Sequence, residues 1–123
     1  MKKTSRNAAA FRIRPRIRLY SGEDIALGPG KVELLRKIAE TSSLSEAARQ
    51  MKISYMKAWL LVKVMNHCFK NPRVTLTRGG QSGGGTTVTA YGLKVIDLYE
   101  TLKADCLAAM KPSAKKLRAL LSQ

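Results

Sequence analysis

The apolar positions of this chain change period as they run along it, and each change marks an element. Ile13, Ile17 and Leu19 occupy odd positions while Arg14, Arg16 and Arg18 take the even ones. Such alternation predicts a half-buried strand up to Tyr20, at a sheet edge because Pro15 has no N–H for a ladder. Ser21-Gly22 turns the chain and Gly28-Pro29-Gly30 halts it. Val32, Leu34, Leu35, Ile38 and Ala39 then recur at helical spacing, predicting a helix from about 30 to 41. Thr41-Ser42-Ser43 breaks that pattern, and Ser43 or Ser45 is placed to cap a short helix carrying Leu44, Ala47, Ala48 and Met51. After Lys52-Ile53, Ser54 is placed to cap a third helix, with Ala58, Leu61, Val62, Met65 and Phe69 on its apolar face and Asn71-Pro72 as its stop.

Beyond residue 73 the period shortens to two. Val74–Arg78 and Thr86–Thr89 are β-branched stretches separated by a seven-residue glycine-rich loop, which predicts a hairpin. Thr89 then caps a last long helix with the stripe Tyr91, Val95, Leu98, Leu102, Cys106 and Met110, expected to end at Lys111-Pro112. The order is strand, helix, helix-turn-helix, two-stranded wing, long helix. The expected fold is therefore mainly α with a small β wing: a winged helix-turn-helix with a long C-terminal dimerisation helix. The expected division is a disordered basic arm over residues 1–10, the winged helix-turn-helix domain over 11–111, and a short basic helical tail over 112–123.

The helix-turn-helix has steric requirements of its own. Its two helices cross closely, so the first needs a small residue at the crossing, which Ala48 supplies. Four residues on, the tight turn asks for a backbone that tolerates positive φ, here Lys52. Ala58 and Leu61 follow at six and nine residues past the turn.

Charge narrows what such a fold would meet. Lys and Arg number 23 against 8 acidic residues, a net charge of +15, which favours a polyanionic partner. A recognition helix entering the major groove presents its N-terminal residues first: Ser54, Tyr55, Met56 and Lys57. Lys57 suits guanine O6 or N7, and Tyr55 and Met56 a thymine methyl; peripheral packing for the two apolar residues, and plain solvation for the lysine, are the alternatives. Ser54 divides between capping and phosphate. Trp59 and Leu60 are assigned to the core, with a backbone-facing position left open. Arg49, Lys52, Lys63, Arg73 and Arg78, with wing glycines Gly83 and Gly84, are the expected contacts to the nucleic-acid backbone.

Other chemistry is sparse. The glycine-rich loop lacks the Gly-Lys-Ser/Thr ending of a phosphate-binding P-loop and lies between strands, so no nucleotide site is expected there. Cys68 and Cys106 have no metal or redox spacing and read as small buried thiols. His67 sits near a helix end, where a cation is favoured. No nucleophile–base–orienter set, metal site or membrane span is expected. The reading is a cytoplasmic, nucleoid-associated protein that binds double-stranded DNA and is not an enzyme. A non-sequence-specific architectural or RNA-binding protein and a winged-helix interaction adaptor remain as alternatives.

Three segments carry a resemblance. Leu27-Gly-Pro-Gly-Lys-Val-Glu-Leu-Leu35, Ser54-Tyr-Met-Lys-Ala-Trp-Leu-Leu-Val62, and Gly79-Gly-Gln-Ser-Gly-Gly-Gly85 with Val88-Thr-Ala-Tyr-Gly92 together resemble the N-terminal domain of the ModE family of molybdate-responsive transcription regulators. The chain is similar, more distantly, to the DNA-binding domains of LysR-type regulators. The resemblance spans about residues 15–110 and implies a winged-helix homodimer on an operator, its recognition helix beginning at Ser54. It implies no cofactor for these residues, molybdate acting only through a separate domain or chain. The length of the last helix independently suggests a homodimer, formed through Tyr91, Val95, Leu98, Leu102 and Met110.

Overall fold

A computed structural model describes residues 11–70, 74–77 and 85–122. Strand β1 (Leu19–Ser21) pairs antiparallel with β2 (Asp24–Leu27). Helices α1 (Pro29–Thr41), α2 (Leu44–Met51) and α3 (Tyr55–Cys68) follow. Strands β3 (Val74–Thr77) and β4 (Gly85–Val88) pair antiparallel, and α4 (Ala90–Leu120) closes the chain. This is a winged helix: mainly α, with a small wing and a long last helix.

The first strand departs from the sequence expectation. Pairing begins only at Leu19, and residues 11–18 have no regular structure, with Ile13 exposed. Pro15 offers no ladder donor, and the backbone at Ile17 is held by a side chain instead: the Tyr99 hydroxyl donates to the Ile17 carbonyl at 2.8 Å. The partner strand β2 was not anticipated. A two-residue turn at Gly22-Glu23 joins them, with Gly22 at φ 65°, a backbone region that glycine enters without a Cβ penalty. In β2 the adjacent residues Ala26 and Leu27 are both buried, so its sequence shows none of the alternation of a one-sided strand.

The three central helices follow the expected pattern. Pro29 occupies the first turn of α1, where its missing N–H costs nothing. Val32, Leu34, Leu35 and Ile38 on α1 meet Ala47 and Ala48 on α2 and Ala58, Val62 and Met65 on α3, all nearly inaccessible. The alanines let the backbones approach, and the larger residues fill the space between them. Leu27, Val74, Val88, Val95, Ile96 and Tyr99 complete the core, so both hairpins and α4 are packed on the same cluster. Cys68 and Cys106 are free thiols, half-buried where full burial was expected.

Helix α4 starts as anticipated: the Thr89 hydroxyl accepts the Gly92 N–H at 3.1 Å. It does not end at Pro112, which lies inside it. A proline there removes one backbone bond and costs about 3 kcal/mol. The residues on both sides are mostly Ala, Lys, Leu and Met, strong helix formers that continue the helix. Two compact units result, Arg16–Glu100 and a second that joins the chain's end segments, described over residues 11–15 and 101–122. In the second unit Ala114 is buried and the Arg118 guanidinium lies 5.2 Å from the Phe11 ring centroid.

Candidate nucleic-acid interface

The turn between α2 and α3 sets the geometry of everything around it. Ala48 is buried at the crossing, and α2 ends at Lys52 in the left-handed conformation, φ 61°. The Ile53 N–H bonds the Ala48 carbonyl at 3.0 Å and the Lys52 N–H bonds the Arg49 carbonyl at 3.1 Å. These are the paired bonds of a Schellman stop, and Ile53 packs against the core as its apolar contact. Capping begins each helix: Ser43 Oγ accepts the Glu46 N–H and Ser54 Oγ the Lys57 N–H, both at 3.0 Å.

With one face of α3 buried through Ala58, Val62 and Met65, its other face turns to solvent. Ser54 and Lys57 are exposed. Tyr55 and Met56 are 53% and 60% exposed. Leu60, 49% exposed, sits one turn after Met56 on this outward face, which corrects its core assignment. Trp59 is half-buried against the core, and the Lys63 ammonium stands 4.8 Å from its ring centroid, a cation–π contact. His67 is exposed in the last turn of α3.

The wing is tied to this pair of helices by two polar side chains that the sequence reading passed over. Asn66 on α3 donates from Nδ2 to the Val74 carbonyl at 3.1 Å and accepts the Val74 N–H at Oδ1, 3.3 Å. The amide thus imitates one rung of a β ladder. Thr86 of β4 is buried; its Oγ1 accepts the Leu44 N–H at 3.2 Å, and its own N–H bonds the Ser42 carbonyl at 3.2 Å. Ser42 ends α1 at φ 56°, which aims that carbonyl at the wing. No spacing rule predicts either residue, because each partner lies in another element. The expected wing contacts Arg73, Arg78, Gly83 and Gly84 lie outside the described residues.

The surface here is basic, with one exception. Arg49 and Lys52 are exposed on α2 and at its end. Arg49 is clasped by Glu46: Nε to Oε1 at 3.0 Å and Nη2 to Oε2 at 2.5 Å, while Gln50 Nε2 donates to Oε2 at 3.1 Å. Hydrogen bonds from Arg49 and then Gln50 hold the Glu46 carboxyl below its usual range, and the same pair raises Arg49. On α1, Lys31 donates to the Ile25 carbonyl at 2.6 Å, and burial pushes its ammonium down. Among the described residues no group of three or more His, Cys, Asp or Glu gathers to hold a metal, and no helix is long and apolar enough to cross a membrane.

The expected dimer stripe on α4 divides. Val95 is buried in the domain's own core and Tyr91 is half-buried against it. Leu98 and Leu102 are exposed one turn apart, and Met110 is half-buried.

No protein-family model matches the chain. Individual curated proteins do. The molybdenum transport protein ModE of Azotobacter vinelandii is 31% identical over 108 residues, covering 88% of this chain and 40% of that protein. The molybdenum-pterin-binding protein MopB of Rhodobacter capsulatus is 37% identical over 91 residues, 74% of this chain and 34% of its own length. The DNA-binding transcriptional dual regulator ModE of Escherichia coli K12 is 38% identical over 74 residues, 60% and 28% respectively. The chain therefore spans well under half the length of these relatives. With a winged-helix fold and this set of relatives, the chain belongs to the ModE family.

Proposed function

We propose that this chain is a DNA-reading module of a ModE-type transcription regulator, a homodimer that binds double-stranded operator DNA sequence-specifically in the cytoplasm. The observation that carries the reading is the outward face of α3. Tyr55, Met56 and Leu60 stand exposed beside Ser54 and Lys57, at the end of the helix that a helix-turn-helix inserts into the major groove. Exposed apolar side chains are costly to keep in water and suit thymine methyl groups, whereas Lys57 suits guanine. Arg49 and Lys52 flank this face where the first helix of the motif crosses the phosphate backbone.

The relatives' names mention molybdenum transport, molybdenum-pterin binding and transcription regulation. Any molybdate response of this chain is assigned to a further domain or chain, and no catalytic role is proposed. The net charge of +15 favours a second reading, a binder that grips any duplex by its phosphates. Selection of bound sequences from a random duplex pool separates the two. Enrichment of a near-palindromic site with half-sites about 34 Å apart is expected. Affinity for that site should fall about a thousandfold from 50 to 200 mM salt, for about six phosphate contacts. A pool that stays random after selection overturns sequence-specific reading and leaves the phosphate-only binder. Binding insensitive to salt overturns both.

A further inference from the structure

From Thr41 to Ile96 the chain holds eight Lys and Arg residues and one carboxylate, Glu46. That stretch contains the helix-turn-helix and the wing. A lone acid in so basic a surface opposes the binding of any polyanion, so its placement asks for a reason. Glu46 stands at the third position of α2, where a glutamate commonly reaches back to the N–H of the capping residue. Here that N–H is already taken: Thr41 Oγ1 accepts from the Ser43 N–H at 3.2 Å. Both oxygens of Glu46 are thereby left for Arg49 and Gln50.

The contact has the form of a bound oxyanion. The two parallel donors of the Arg49 fork meet two carboxylate oxygens, as they would meet two phosphate oxygens, and Gln50 adds a third donor. Arg49 is 73% exposed on its side-chain surface, and Glu46 is the group that holds its guanidinium among the described residues. We propose that Glu46 is an internal stand-in for a backbone phosphate: it holds Arg49 and Gln50 in anion-ready orientation and must be displaced when a phosphate arrives. The inference rests on the proposed DNA reading and deepens it. Glu46 is a positioning residue that weakens grip on every duplex, so that stable binding requires the base contacts made by α3. That cost falls on every duplex alike, so it leaves the ratio of operator to random affinity unchanged and lowers occupancy of stray sites, where no base contacts offset it.

The test compares the wild-type chain with Glu46→Gln, Arg49→Ala and the double variant, by fluorescence anisotropy on a selected site and on random duplex. Glu46→Gln keeps the Gln50 contact and the helix start, and thermal unfolding confirms that all variants fold. Tighter binding of random duplex by Glu46→Gln, about fivefold or more at 50 mM salt, is expected. Its log affinity against log salt should be steeper by about one unit. In the Arg49→Ala background the same substitution should have a clearly smaller effect, since the carboxylate acts through that guanidinium. Unchanged or weaker binding by Glu46→Gln overturns the inference while leaving the DNA reading intact. So does a gain that is equally large without Arg49, which makes Glu46 a simple repulsive charge. Absence of salt-sensitive duplex binding by the wild-type chain overturns both.

Discussion

A single backbone angle at Lys52 determines how α2 hands the chain to α3. The left-handed conformation is unfavourable for a residue with a Cβ, by roughly 1–2 kcal/mol, and glycine escapes it. Glycine also makes the unfolded chain more mobile, which gives back about 0.5–1 kcal/mol. Lys52→Gly is therefore expected to stabilise the domain by about 0.5 kcal/mol, raising Tm by about 2–4 °C in a thermal melt. A lower Tm refutes the strain argument. The same variant removes an exposed cation beside α3, so its DNA affinity is expected to fall and its salt slope to shrink by about one. On the proposed reading, Lys52 exchanges a little backbone strain for a contact to phosphate. That position was legible in the sequence because the spacing from Ala48 and to Ala58 is a steric rule of the motif. The ion pair of Glu46 with Arg49 was not, although Ser43 and Glu46 stand three apart in the usual capping pattern.

At the scale of elements, the helices were legible and the sheets less so. Leu34, Leu35, Ile38, Ala47, Ala58 and Met65 carry a three-four period that only a buried helix face requires, and caps at Ser43, Ser54 and Thr89 mark the starts. Strand β2 is four residues long with neighbouring residues buried, so it carries no period at all. The continuation of α4 past Pro112 was hidden because one unfavourable residue is outweighed by a run of good helix formers. What joins the elements was also hidden, since Asn66 and Thr86 look like ordinary polar residues until their partners are known. Thr86→Val keeps the shape but strands the buried Leu44 N–H at the start of α2. A loss of about 1–3 kcal/mol is expected, read as a lower denaturation midpoint at unchanged m. Asn66→Ala leaves the wing's first strand without its tie to α3, and faster amide exchange at Val74 and Val88 should follow. Equal protection in the variant and the parent refutes that role.

For the whole molecule, the proposed operator reading requires that one winged helix gain enough affinity and register. Lone basic surfaces bind duplex DNA at micromolar levels or weaker, and pairing two modules on one two-fold axis multiplies the contacts while imposing a spacing. The exposed residues that suit such a pairing are on α4. Leu98 and Leu102 stand one turn apart and outward, whereas Val95, Ile96 and Tyr99 on the same helix are committed to the core beneath it. A two-fold contact uses each leucine twice, so one substitution alters two sites per dimer. Leu98→Glu places two carboxylates in that seam. It should leave the monomer folded, because the side chain is already 59% exposed. Sedimentation at micromolar concentration is expected to give a dimer mass for the parent and a monomer mass for the variant. Affinity for a full palindrome should fall toward that for a half-site, since the two recognition helices no longer bind as a linked pair. A monomeric parent removes the dimer altogether, and a variant that remains dimeric moves the seam away from Leu98. In the expected case, palindrome preference is a property of α4 as much as of α3: one helix reads bases, and the other sets how far apart they are read.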